Sequence, residues 1–245
     1  MALGCPAMKE ILHEDLPPEM AVPPALPGVA PCAADDWLRV DETYGAQMGY
    51  RLALLAEKPQ AVLWEPAASR DAALEVLEEA LALLPGKGFA VQGDQVRCPD
   101  GREVALDRTA PLRTLGQLVQ QDICVMDKQG DQHVLVAAVL CFPSNWRLAE
   151  KAGRPLTDIH LPVDAYDAGI ARRVQRLFDG VQVGRALWRF NRLAYGDADL
   201  HQPARKDQGL VRRYERAERQ CVVRMPRTRA VVFSIHTHVV RRAAG

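Results

Sequence analysis

The sequence has no C-x-x-C pair, no glycine-rich nucleotide fingerprint, no membrane-length apolar run and no excess of charge of either sign. Each absence removes a class of function. Basic and acidic residues number 31 each in 245, so the formal net charge is zero and neither nucleic acid nor an anionic membrane is expected as the main partner. No stretch approaches the roughly 20 apolar residues of a spanning helix. The opening MALGCPAMKEILHEDLPPEM has no basic segment followed by an apolar one, so no leader is expected. Cysteines stand at 5, 32, 98, 124, 141 and 221, and Cys124, Cys141 and Cys221 lie in apolar, strand-like runs as small buried hydrophobes. The expected compartment is reducing and cytoplasmic. PGKGF at 85–89 lacks the Walker spacing, and neither G-x-S-x-G nor H-E-x-x-H occurs.

What is present is an ordinary globular composition, 48% apolar and 25% charged. Residues 1–34, rich in proline and alanine, read as an extended segment, and residues 35–245 as one domain. DDWLRVDETYGAQMGYRLALLAEKP reads as a helix that ends before Pro59. Another spans 70–84, with Ser69 as its cap, Asp71 in its first turn, Leu74, Leu77, Leu81 and Leu84 on one face, and Pro85-Gly86 to stop it. The period then becomes two. FAVQ-GD-QVRC reads as a hairpin, LRTLGQLVQ as a short helix, and DICVM and HVLVAAVLCF as strands, the second apolar on both faces and therefore central. A helix over about 166–179 and strands at 185–195, 220–226 and 229–240 complete the pattern. Strands in antiparallel runs predict an α+β fold, one antiparallel sheet with flanking helices on one side.

Between the strand HVLVAAVLCF and the next helix lies FPSNWRLAEKAGRPLTDIHLPVDAY, which sets Trp146, Lys151 and His160 on proline-stiffened backbone. His160 is a candidate metal or cofactor contact, against the plainer reading of a packed loop histidine. His236 and His238, two apart on a strand, point to one face with Ser234 and form a metal platform that needs a third ligand such as His160 or His201. The plainer reading is a polar strand face. Arginines cluster near strand starts in LWRFNR and RYERAERQCVVRMPRTR, where a guanidinium suits carboxylates or phosphates or guards a sheet edge. Trp146 and Trp188 are pocket wall or core.

The order LVQQDICVM, AAVLCFPSNWRLAEKAGRPLTDIHLPV, RALWRFN and RYERAERQCVVRMPRTRAVVFSIHTHV resembles the haem-dependent oxidative N-demethylase family over about residues 112–240. The W-x-x-x-x-K-x-G…I-H-x-P-V block is its most specific part. The resemblance implies a PAS-like domain holding haem b. It implies oxidative removal of a methyl group from a small secondary amine, with release of formaldehyde, by a haem-dependent monooxygenase. Electrons would come from NADPH through partner flavin and iron–sulfur proteins, the reductase subunits. His160 is then expected to face the iron, and Trp146, Lys151, Arg189, Asn191, Arg219 and Gln220 to hold the cofactor or shape its pocket. Three positions depart from the family pattern: Arg192 replaces a Trp, His236 an Arg and His238 a Tyr. The alternative function is a non-catalytic haem- or ligand-binding module.

Overall fold

In chain order the strands are β1 (Ala30–Pro31), β2 (Leu63–Trp64), β3 (Ala90–Gln92), β4 (Gln95–Arg97), β5 (Glu103–Ala105), β6 (Asp122–Gln129), β7 (Gln132–Val139), β8 (Leu187–Tyr195), β9 (Tyr214–Arg224) and β10 (Val231–Arg241). The helices are α1 (Tyr44–Glu57), α2 (Pro59–Val62), α3 (Arg70–Leu83), α4 (Pro111–Leu118), α5 (Leu148–Lys151), α6 (Leu156–Ile159) and α7 (Ala168–Gly180). These belong to a computed structural model that describes residues 10–22, 28–159, 168–204 and 209–242. Seven strands pair antiparallel in the order β1-β8-β9-β10-β6-β7-β2, and β3-β4-β5 form a separate small sheet.

The α+β expectation holds, with two corrections. Short β3, β4 and β5 make a second sheet of their own. Helices also cover both faces of the large sheet, not one. Period two along β6 sends Ile123 and Val125 into a core with Leu55, Leu77, Leu112, Leu115 and Leu118. It sends Cys124 and Met126 into a second core with Leu148, Leu156 and Phe178. This double covering explains HVLVAAVLCF. The strand is apolar on both faces because helices lie on both, whereas its position, between β6 and the two-residue β2, is next to an edge. Each fully buried leucine of α4 contributes about 1.5–3 kcal/mol by leaving water.

Ser69 precedes α3 as expected, but its hydroxyl donates to Pro66 O at 2.7 Å and does not cap the helix. The first helix starts later than DDWLRV suggests, at Tyr44, because that stretch turns back to serve β9 and β10. β9 begins at Tyr214, well before Gln220. Its charged residues Arg216, Glu218 and Arg219 are each buried with partners, so charge does not end the strand. Among the described residues no helix is long and apolar enough to cross a membrane.

Candidate functional site

The loop after β7 is fastened at its entrance by β6. The Asp122 carboxylate accepts Cys141 N–H at 2.7 Å and Phe142 N–H at 2.8 Å, and pairs with the fully buried Arg51 at 2.6 Å. Arg216 donates to Phe142 O at 2.6 Å and to Leu200 O at 2.9 Å. The Ser144 and Tyr195 hydroxyls lie 2.6 Å apart, and Asn145, at φ 58°, donates its N–H to Gln202 O at 2.8 Å. Asparagine is among the few residues that tolerate that left-handed backbone.

The exit is fastened by Lys151. Its buried ammonium donates to Ile159 O at 2.7 Å, and burial lowers its pKa. Gly153 sits at φ 71° and donates to Leu135 O at 3.0 Å, while Leu135 N–H returns to Arg154 O at 3.0 Å. Any side chain at Gly153 would be strained, which gives the K-x-G spacing a mechanical reason. Trp146 and Ile159 pack into the second core with Leu140, Val222, Ile235 and Phe233. His160, the foremost sequence candidate, lies outside the described residues.

The sheet face beneath that loop is set by register. Arg189 pairs with Gln220 and Gln220 with Ile235; Asn191 pairs with Glu218 and Glu218 with Thr237. Paired residues point the same way, so a polar row adjoins the apolar wall of Val222, Phe233 and Ile235. Asn191 Nδ2 and Gln220 Nε2 each donate to Glu218 Oε2 at 3.2 Å, and Arg216 Nε donates to its other oxygen at 3.3 Å. Thr237 Oγ1 is buried on this face without a partner, and Arg189 is exposed on the same face two strands away. Trp146, Arg189 and Asn191 therefore share one face with the loop. Glu218, Thr237, Phe233 and Ile235 were not singled out by sequence, although E-R-Q read with period two names the first.

Arg219 faces the other way. It donates to Asp36 O at 2.7 Å, ion-pairs with the Asp36 carboxylate and lies 4.9 Å over the Trp188 ring. Arg192 shares that opposite face, ion-pairing with Glu215 and donating to the carbonyls of Met20 and Ala21.

His236 and His238 are on that second face too, as the strand period requires, with Ser234 donating to Trp37 O at 2.6 Å. Of the two expected third ligands, His201 is engaged elsewhere, its Nδ1 bonding Cys141 O at 2.8 Å, and His160 lies outside the described residues. His236 and His238 meet Asp41 and His13 instead. Asp41 Oδ2 lies 2.9 Å from His13 Nε2, 2.8 Å from His236 Nε2 and 3.8 Å from His238 Nε2. Asp41 Oδ1 accepts Thr43 N–H, the Thr43 hydroxyl and Gln120 Nε2 at 2.9, 2.7 and 2.8 Å. Burial would raise the Asp41 pKa, but the histidine hydrogen bonds hold it well below the usual carboxylate range. Burial lowers His236, and burial with the neighbouring imidazoles drives His238 down to about 2.

The architecture is an α+β antiparallel-sheet protein with both faces covered and a motif-bearing loop lodged on one of them. Residues 28–243 match the family model of the haem-dependent oxidative N-demethylase, alpha subunit-like proteins, and the chain belongs to that family. The donor chemistry of the loop-covered face fits a haem. It offers an apolar wall, an exposed guanidinium at Arg189 for a carboxylate, and an unpaired buried hydroxyl at Thr237.

Proposed function

We propose that the chain is a haem-dependent monooxygenase that removes a methyl group from a small secondary amine and releases formaldehyde. The carrying observation is that Trp146 and Ile159, from the family's most specific motif, pack on the sheet face that displays Arg189, Asn191 and Gln220. All three departures from the family pattern, Arg192, His236 and His238, lie on the opposite face. That arrangement favours retained turnover over a ligand-binding module that has lost it.

Bound haem b supplies redox-active iron for dioxygen chemistry. Trp146, Ile159, Phe233 and Ile235 keep water from the wall, which strengthens every polar contact there. Lys151 holds Ile159 O and so fixes the backbone that leads into His160, the residue we assign to face the iron. Arg189 would take a propionate carboxylate, and Glu218, fixed by Asn191, Gln220 and Arg216, sets the polar end of the face. Overall, a methylamine, dioxygen, two electrons and two protons yield the demethylated amine, formaldehyde and water. The electrons come from NADPH through separate flavin and iron–sulfur subunits, in keeping with an alpha-subunit-like family. We place the protein in the cytoplasm.

The test is an absorption spectrum of the purified protein, followed by formaldehyde assay with methylated amines, NADPH and a reductase. A Soret band that His160→Ala alters or abolishes supports the reading. A chain that takes up no haem overturns it. A chain with haem but no formaldehyde release supports the ligand-binding module instead.

A further inference from the structure

We propose that Asp41, His236 and His238, with His13 beside them, bind a first-row divalent transition metal of the zinc type on the sheet face opposite the apolar wall. Four donor atoms, one from each residue, lie within 4.8 Å of one another. Three of the residues are buried and Asp41 is half-buried. Imidazole nitrogens with one carboxylate suit zinc, iron or nickel and not magnesium or calcium, which prefer oxygen-only shells.

A further observation points to a ligand. The His238 imidazole is 3% exposed, its Nδ1 is buried without a partner, and its Nε2 stops 3.8 Å short of Asp41. A metal bond would give this buried ring a partner.

The hydrogen bonds around the ring nitrogens sort the four residues. Val239 N–H points at His13 Nδ1 at 3.2 Å, which puts the His13 proton on Nε2, toward Asp41. His13 is therefore a donor to the carboxylate, orienting it, and joins the metal only by giving up the Val239 bond. His236 Nδ1 faces the Gln121 amide at 2.6 Å. In the recorded orientation Gln121 Nε2 also donates to Arg39 O at 2.8 Å, and Oε1 is buried without a partner. Turning the amide over gives Oε1 the His236 Nδ1–H to accept and leaves His236 Nε2 free for the metal, at the expense of the Arg39 contact. Two histidines and one aspartate leave an open coordination position beside His13.

The experiment uses the full chain, dialysed against a chelator and titrated with zinc chloride by calorimetry, with metal content read by elemental analysis. One zinc per chain is expected, together with a zinc-dependent rise in melting temperature. His238→Gln is the decisive variant, because His238 makes no hydrogen bond that holds the fold. It should melt normally without zinc, bind zinc at least about tenfold more weakly and lose the zinc-dependent rise. Absence of zinc binding in the parent chain, or equal binding by His238→Gln, overturns the site and leaves a hydrogen-bonded cluster only. Neither outcome alters the Soret test of the loop-covered face, so the two readings fail separately.

Discussion

Asp122 accepts the Phe142 N–H at 2.8 Å across 20 residues of sequence, so the first residue of the motif loop is fixed by the last polar residue before β6 turns apolar. The same carboxylate neutralises Arg51, whose side chain is fully buried. Asp122→Asn leaves that guanidinium without its charge partner and weakens two amide contacts. Loss of one partner of a buried pair costs about 3–5 kcal/mol. Chemical denaturation should show a fall of that order, with the slope against denaturant unchanged.

Lys151→Met separates packing from hydrogen bonding at the loop exit. The substituted chain fills the same space and leaves Ile159 O without its donor. A loss of about 1–3 kcal/mol is expected. Haem uptake, read as Soret absorbance per protein, should fall further than for Arg147→Met, whose side chain pairs with the exposed Glu150 alone among the described residues. Equal uptake by the two variants would refute the positioning role of Lys151.

Gly116→Ala sets two effects against each other. Inside α4 the alanine gains about 1 kcal/mol of helix propensity. Its Cβ, however, would stand 2.7 Å from Val139 Cγ2 and 3.3 Å from Leu55 Cδ1. Both neighbours are buried and confined, and overpacking costs about 1–3 kcal/mol. The clash wins, and the melting temperature should fall.

Glu75 supplies a pH dependence. Its carboxylate on α3 accepts Arg227 N–H at 2.6 Å and Thr228 N–H at 2.7 Å, tying the β9–β10 turn to the helix. Burial would raise its pKa, but the bonds from Thr228 and Arg227 outweigh burial and lower it. A depressed folded value means that the stabilisation is complete above the unfolded value, about 4.3, and is lost as pH falls through the folded one. Glu75→Gln should lose about 1–3 kcal/mol at neutral pH and show a flatter decline in stability below about pH 4.

Much of the site can be traced to local pattern, and the remainder has a definite cause. His236 and His238 share a face because strands have period two, and the sequence shows that directly. Their companions His13 and Asp41 lie 226 positions before Val239 and 195 before His236, a separation that periodicity cannot bridge. Grouping Arg219 with Arg189 and Asn191 went against that same alternation: Arg189 pairs with Gln220, so Arg219 must turn away toward Asp36.

Local chemistry thus determines β6, β7, β8 and β10 of the large sheet, the proline-stiffened loop, and the buried Leu77 of α3 with Leu84 just after it. Its determinants act within a few residues, through backbone preference and side-chain alternation. Tertiary structure decides which face each pattern meets. β7 is apolar throughout because helices from distant segments cover both its sides, and β9 carries charges inward because Asp36, Leu200 and Phe142 are waiting there. It also decides that the positions unlike the family's lie on one side of the sheet and the motif loop on the other. Burial and pairing depend on the partner across the gap, and only the folded chain supplies that partner.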